Sequence, residues 1–181
     1  MASFEGQFFP DTYNYTAGTK DIDILKQAFQ RMQGELSTVW ASRDADLPYE
    51  NAFELLIMAS IIEKETGLSG ERKRVSSVFI NRLRAGMRLQ SDPTTIYGID
   101  DFDGNLTRAH LREQTAYNTY RINGLPPTPI AMPSLSSLEA AAHPETTDYF
   151  YFVADGSGGH VFSKTLAEHN RAVNKYQRNQ N

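Results

Sequence analysis

Two glutamates directly follow a long apolar run, in the string ASIIEKET over residues 59–66. An ordinary surface helix would already have shown polar side chains at this point. Glu63 lies one helical turn beyond Ala59 and continues an apolar face, so we expect desolvation to raise its pKa. A carboxyl group that keeps its proton near neutral pH can protonate the leaving oxygen of a glycosidic bond. Glu63 is therefore a candidate general acid.

Glu65 competes with Glu63 for this role. At about 3.6 residues per turn, the two side chains are offset by about 200° around the helix, so they do not form an acid and nucleophile pair in one small site. Glu65 lies over the apolar residues 61–62, which makes it nearly as good a candidate by spacing alone. Its simplest structural interpretation is an ion pair with Arg72 or Arg74, and a solvated or ion-paired Glu63 is the corresponding alternative.

Two polar and aromatic strings have the composition of a ligand groove. Residues 88–97 combine a turn-forming Asp-Pro pair with amide, hydroxyl and aromatic groups, which hydrogen-bond sugar hydroxyls and stack on pyranose rings. Residues 116–120 repeat this mixture. Asp92 has an equally good structural interpretation as the cap of a turn or helix. Both strings are candidates for a saccharide groove.

The composition argues against several function classes. A net charge of −4 with dispersed Lys and Arg offers no basic surface for nucleic acid. The chain has no cysteine and its four histidines lack metal-ligand spacing, so we expect neither a metal nor a cofactor. The glycine-rich residues 155–159 precede a strand and not a helix, which indicates a hairpin turn instead of a phosphate-binding loop. No apolar run is long enough to span a bilayer.

The hydrophobic periodicity predicts an α+β fold, with a central buried catalytic helix and surrounding helices, loops and short β-hairpins. The predicted helices cover residues 21–39, 49–66, 69–86, 135–142 and 166–176, and the predicted strands cover residues 148–154 and 160–163. Between residues 87 and 128 we expect loops, a short helix and a binding surface.

Several long strings give the chain its resemblance to MltG-type (YceG-like) endolytic murein transglycosylases, almost phrase by phrase between residues 5 and 176. They are ASIIEKET, SVFINRLRAGMRLQSDPTTIYGI, TAYNTYRINGLPPTPIAMPS, AAAHPETTDYFYFVADGSGGHVFS and LAEHN. The resemblance implies that Glu63, the first glutamate of the IxEKE string, is the catalytic residue. It also implies that the matching groove residues are glycan contacts: Gln90, Ser91, Asp92, Tyr97, Tyr117, Asn118, Tyr120 and His160.

The resemblance further implies cleavage of the β-1,4 bond between N-acetylmuramic acid and N-acetylglucosamine, with formation of 1,6-anhydro ends that terminate elongation of nascent strands. Peptidoglycan polymerases are the expected protein partners. Two alternatives stay open: a hydrolase that uses Asp92 as a second carboxylate, and a non-catalytic glycan-binding module of the cell-wall synthesis machinery.

The family pattern also predicts how the chain is divided. We expect residues 1–46 to be the remainder of a preceding lobe, packed on a catalytic domain of residues 47–181. The family's location implies a parent protein at the periplasmic face of the bacterial inner membrane. The membrane contact is expected only through an N-terminal helix that is absent from this sequence.

Overall fold

The computed structural model describes residues 4–178, which form six α-helices and one antiparallel hairpin. The elements are α1 (Asp21–Ser42), α2 (Ala52–Glu65), α3 (Arg72–Arg84), α4 (Asp92–Tyr97), α5 (Leu135–Ala142), β1 (Tyr151–Ala154), β2 (His160–Ser163) and α6 (Leu166–Val173). Short 3₁₀ turns lie at Ser69–Glu71 and His110–Arg112, and a π turn at Asn174–Arg178 follows α6. The described chain is thus mostly helical with one small hairpin, where the sequence predicted more than one.

α2 is the central helix because its side chains are apolar on nearly every face. Residues 55–62 are all buried, and both α3 and α5 pack against them. The predicted start at residue 49 is too early, since the Asn51 side chain accepts a hydrogen bond from the Glu54 amide and caps the helix. α2 ends at Glu65, so both candidate glutamates lie in its last turn.

The segment before residue 47 shares this core. α1 is amphipathic, and its buried face joins the hydrophobic cluster around α2 through Met32, Leu36 and Val39. At Gly6, which has a φ of 78°, the backbone passes so close to Pro129 that an added Cβ atom would lie 2.5 Å from the Pro129 Cβ. The predicted boundary between residues 46 and 47 stays a prediction, and residues 1–3 and 179–181 lie outside the described residues.

α3 holds the hairpin through two side chains. Asn81 and Arg82 donate hydrogen bonds of 2.7 to 3.0 Å to backbone carbonyls within residues 147–150. Because these carbonyls bond to α3, β1 begins at Tyr151 and not at residue 148 as predicted. The hairpin register pairs the last residue of β1 with His160, which places His160 beside the turn.

The other predicted bounds lie close to the observed ones. α5 and β2 have the predicted bounds, while α1 continues to Ser42 and residues 69–71 form a 3₁₀ turn ahead of α3. α3 ends before residue 86 because Gly86, with a φ of 66°, adopts the left-handed conformation and its amide bonds to the Leu83 carbonyl. Within residues 4–178, no helix is both long and apolar enough to cross a membrane.

Candidate active site

A groove of about 390 Å³ lies where the end of α2, the start of α4, the hairpin and α6 meet. We name it the Glu65 groove. Its polar lining consists of Glu65, Arg82, Gln90, Asp92, Tyr120, Tyr151, His160, His169 and Gln177. Four predicted glycan contacts are therefore brought together here: Gln90, Asp92, Tyr120 and His160.

Glu65 is half-buried, and its side chain lines the groove. The Ser91 hydroxyl donates a hydrogen bond of 2.5 Å to its Oε1 atom. Burial raises the pKa of Glu65 to about 7, and the nearby Asp92 charge contributes in the same direction. The Ser91 hydrogen bond and the interactions with His160 and Arg82 lower the Glu65 pKa and only partly offset burial. A carboxyl group in this state can give its proton to a bound ligand near neutral pH.

Asp92, the first residue of α4, pairs with Tyr120 in the groove wall. The Tyr120 hydroxyl donates to the Asp92 Oδ1 atom at 2.6 Å. Burial and this hydrogen bond both raise the Tyr120 pKa, so the phenol keeps its proton and stays a donor. The side chain preceding α4, Ser91, makes no capping hydrogen bond. Asp92 is thus a groove carboxylate whose hydrogen bond goes to Tyr120.

His160, the first residue of β2, is held by Glu71 in the 3₁₀ turn before α3. One Glu71 oxygen accepts a hydrogen bond of 3.0 Å from the His160 backbone amide, and the other lies 2.8 Å from the ring Nδ1 atom. The His160 ring packs edge to face with Phe152 at 5.4 Å between centroids. An added Cβ atom on Gly159 would lie 3.2 Å from the Glu71 carboxylate, so the hairpin turn docks closely on Glu71.

A wall made by Arg82, Tyr151 and His169 was missed by the sequence interpretation. The Tyr151 and His169 rings stack with centroids 5.3 Å apart, and the Arg82 guanidinium lies 5.2 Å from the Tyr151 ring centre. Arg82 also donates to the Leu89 carbonyl at 2.6 Å, which holds the segment leading into α4. The signal for His169 was its place in the LAEHN string. Arg82 had the same kind of signal, since it lies in the SVFINRLRAGMRLQSDPTTIYGI string.

Glu63 does not line the groove and instead joins α2 to the start of α5. Its Oε2 atom accepts hydrogen bonds from the Ser134 amide (2.9 Å), the Ser134 hydroxyl (2.6 Å) and the Ser137 hydroxyl (2.7 Å). Burial alone would raise the pKa of Glu63, but these hydrogen bonds and the nearby Arg72 together lower it. The predicted rise in the Glu63 pKa is therefore wrong, because α5 surrounds this carboxylate with donors. Its assignment as the catalytic residue stays a prediction.

The ion pair considered for Glu65 is formed by Glu63 instead. Arg72 lies 3.4 Å from the Glu63 carboxylate, and Arg74 lies 3.0 Å from that of Glu145. The interpretation of Glu65 as the partner of Arg72 or Arg74 is therefore wrong. Glu65 lines the groove, and both arginines bond to other carboxylates.

The other predicted contacts lie outside the groove lining. Tyr97 and Tyr117 pack together with ring centroids 4.8 Å apart. Asn118 is fully buried, and its amide nitrogen donates to carbonyls of residues 110 and 113. Ser91 is also buried and acts on the groove through its hydrogen bond to Glu65. Glycan contacts by these four side chains stay predictions.

The groove contains one carboxyl group, that of Glu65, that can hold a proton near neutral pH. Glu65 can donate a proton, whereas the Asp92 carboxylate is engaged by Tyr120. Within the part of the chain that the structure describes, no group of three His, Cys, Asp or Glu side chains is placed to hold a metal ion. General acid and base catalysis by Glu65 is what these side chains can perform.

Comparison with known proteins gives the family. The model of the YceG-like family matches residues 1–175. The chain belongs to the YceG-like family. An endolytic murein transglycosylase of Bacillus subtilis is 39% identical over 173 residues, which are 95% of this chain and 48% of that protein. One of Streptococcus pneumoniae is 31% identical over 175 residues, which are 93% of this chain and 31% of that protein.

A solved YceG-like structure has the same fold. The YceG-like protein of Listeria monocytogenes matches with a TM-score of 0.77 and 37% identity, over 93% of this chain and 55% of that one. The chain thus spans about half the length of the Bacillus and Listeria relatives and about a third of the Streptococcus relative. The family resemblance carried by the five strings is confirmed.

Proposed function

We propose that this YceG-like domain is a peptidoglycan lytic transglycosylase that cleaves the β-1,4 bond between N-acetylmuramic acid and N-acetylglucosamine, leaving 1,6-anhydro ends. The observation that carries the proposal is Glu65, whose pKa is raised to about 7 in a groove lined by aromatic, amide and carboxylate side chains. The names of the Bacillus and Streptococcus relatives support the substrate class.

In the proposed first step, the Glu65 carboxyl group gives its proton to the glycosidic oxygen. The bond from that oxygen to C1 of the muramic acid breaks, N-acetylglucosamine leaves with a free 4-hydroxyl, and the muramic ring passes through an oxocarbenium-like transition state. The raised pKa supports this role, because the acid must hold its proton until the substrate binds.

In the second step, the Glu65 carboxylate takes the proton of the muramic acid 6-hydroxyl. The 6-oxygen attacks C1 of its own sugar and closes the 1,6-anhydro ring. No water is consumed, and Glu65 ends the cycle protonated. A single carboxyl group therefore serves as acid and then as base, as microscopic reversibility allows.

We place Glu65 and not Glu63 in this role, although the family string alone favoured Glu63. The Glu63 carboxylate accepts three hydrogen bonds from the start of α5, and its pKa is lowered, so it is a poor proton donor near neutral pH. Glu63 instead anchors the last turn of α2. This contact supports a positioning role, in which Glu63 fixes the helix end that carries Glu65.

Mass spectrometry of the products from uncrosslinked peptidoglycan strands tests the proposal. The wild-type domain should release anhydro-ended fragments, Glu65→Gln should release them at least about 100-fold more slowly, and Glu63→Gln should keep measurable turnover. Reducing-end products would instead indicate a hydrolase. Full activity of Glu65→Gln with loss in Glu63→Gln would return the catalytic role to Glu63, and equal glycan binding without cleavage by all three proteins would favour the glycan-binding module.

The cellular setting is proposed from the family resemblance. We place the reaction on nascent strands beside peptidoglycan polymerases, at the periplasmic face of the inner membrane. An anhydro end has no free reducing-end hydroxyl, so cleavage there would end elongation of the strand.

A further inference from the structure

The Glu71 carboxylate clamps His160 at two points. It accepts the backbone amide at 3.0 Å and lies 2.8 Å from the ring Nδ1 atom, with the His160 and Glu71 side chains only 14% and 18% exposed. The His160 ring is also confined by Phe152 and Phe162, at centroid distances of 5.4 and 6.4 Å. The ring orientation is therefore fixed from three directions.

The clamp determines where the His160 proton sits. An ionised carboxylate is only an acceptor, so the Nδ1 atom facing Glu71 must carry hydrogen. In the neutral ring, Nε2 is then an unprotonated acceptor. Within residues 4–178 the Nε2 atom has no hydrogen-bond partner. It is not among the unpartnered atoms that are buried, so it is accessible to a ligand. Since His160 lines the groove together with Glu65, that ligand would lie beside the proposed acid.

We infer that Glu71 is a positioning residue that holds His160 in the Nδ1-protonated tautomer, so that Nε2 accepts a hydrogen bond from a sugar hydroxyl bound in the Glu65 groove. The inference deepens the proposed function and rests on it for the identity of the ligand. A hydrogen-bond acceptor such as Nε2 suits a glycan ligand, because every glycan hydroxyl has a proton to donate.

Three variants separate this role from a purely structural clamp. His160→Asn keeps a side-chain N–H near the position of Nδ1, and so keeps both bonds to Glu71, but it removes Nε2. Glu71→Gln keeps the side-chain shape but offers one acceptor for two donors. Asp44→Asn is the matched control, because the His143 Nδ1 atom lies 2.7 Å from Asp44 in a similar pair that does not line the groove.

Nitrogen-15 NMR of the histidine ring reads the tautomer directly. We expect the wild-type His160 ring, assigned by its loss in His160→Asn, to be protonated at Nδ1 in the neutral form. Glu71→Gln should move the proton partly to Nε2, while Asp44→Asn should leave the His160 signals unchanged. A wild-type ring protonated at Nε2, or one unaffected by Glu71→Gln, would overturn the inference whatever the activity of the protein.

Binding of a tetrasaccharide of alternating N-acetylglucosamine and N-acetylmuramic acid tests the ligand contact, in a Glu65→Gln background that preserves the sugar. We expect the tetrasaccharide to shift the Nε2 resonance. His160→Asn should weaken its affinity about 3- to 10-fold, as expected for one hydrogen bond, with an unchanged Tm. Unchanged affinity would overturn the inference.

The two proposals fail in different ways. Normal cleavage and normal binding by His160→Asn would remove the role of Nε2 and leave the transglycosylase standing. Absence of cleavage by the wild type, with tetrasaccharide binding that depends on Nε2, would remove the reaction and leave the His160 contact standing.

Discussion

Glu63 and Glu65 lie two residues apart in the last turn of α2, and their surroundings shift the two pKa values in opposite directions. Hydrogen bonds from α5 and the nearby Arg72 outweigh burial and lower the pKa of Glu63. Burial outweighs the Ser91 hydrogen bond and raises the pKa of Glu65 to about 7. One helical turn therefore supplies an ionised anchor on one side and a protonated acid on the other.

The rate of anhydro-product formation should fall as the pH rises through about 7, because the proposed first step needs protonated Glu65. The measurement is kcat/KM for uncrosslinked strands as a function of pH, with the fold monitored by circular dichroism over the same range. A rate that falls only as the pH drops would contradict a general acid of this pKa. Replacement of Glu65 by Gln should lower the rate by about 10²- to 10⁴-fold.

The two glutamine variants should change stability in opposite directions. Folding raises the pKa of Glu65 from about 4.5 to about 7, so the wild type loses stability as the pH rises between these values. Glu65→Gln should therefore be more stable than the wild type above pH 7, by on the order of 2 kcal/mol, and the gain should vanish at acid pH. Urea unfolding at several pH values measures this difference.

Glu63→Gln should show the reverse. The lowered pKa of Glu63 contributes stability above its ordinary value of 4.5, and that contribution is lost as the pH falls through the folded pKa. At neutral pH the variant should lose about 1–3 kcal/mol, since charge-assisted hydrogen bonds are replaced. Glu145→Gln, in an exposed pair with Arg74, is the control and should cost less than about 1 kcal/mol. Equal losses of unfolding free energy in Glu63→Gln and Glu145→Gln would argue against Glu63 as an anchor of α2.

Asp92→Asn should keep anhydro products and move the alkaline limb of the rate profile to lower pH. The Asp92 charge raises the pKa of Glu65, so its removal makes Glu65 a stronger acid. An asparagine oxygen can still accept the Tyr120 hydroxyl, which preserves the groove wall. The pH profile and the product masses are the measurements.

Ser91→Ala is the matched control for this shift. It removes a hydrogen bond that lowers the Glu65 pKa, so the same limb should move to higher pH. Loss of all turnover in Asp92→Asn, together with reducing-end products from the wild type, would instead support a hydrolase with two catalytic carboxylates.

Gly6→Ala should destabilise the protein by about 1–3 kcal/mol, as overpacking and a left-handed backbone both oppose a side chain there. The added Cβ atom would collide with Pro129. The collision would push the N-terminal segment away from the loop before α5. Gly34→Ala, inside α1 with no atom within 4 Å of the new methyl group, should be neutral or stabilising by up to about 1 kcal/mol. Thermal unfolding of both variants decides whether this contact is tight.

Helix periodicity and apolar run length were sufficient for most of the fold, because the apolar faces of α1 and α3 repeat at helical spacing and α2 is a long apolar run. The predicted helix and strand ends were wrong where side chains form hydrogen bonds with backbone groups at those ends. Asn51 caps α2 later than the apolar pattern begins, and Asn81 and Arg82 take the carbonyls that would have extended β1. Such contacts join residues that the local pattern treats separately.

The groove was only partly predictable for a similar reason. The strings around Asp92 and Tyr120 had the right composition, and four of the named side chains line the groove. The choice between Glu63 and Glu65, in contrast, depends on Ser134 and Ser91, which lie far along the chain from α2. No local property of ASIIEKET reveals that Glu63 accepts hydrogen bonds from α5 and that Glu65 lines the groove.

The two walls of the groove also come from distant parts of the chain, and this has a consequence for synthesis. Glu65 is synthesised before the opposing wall at Tyr151, His160 and His169. A growing chain that ends before β2 would lack the part of the groove lined by His160 and His169, so Glu65 would be less buried than in the folded protein. Acid strength and groove would therefore arise together on completion of the domain, and prematurely terminated chains would not cut the wall.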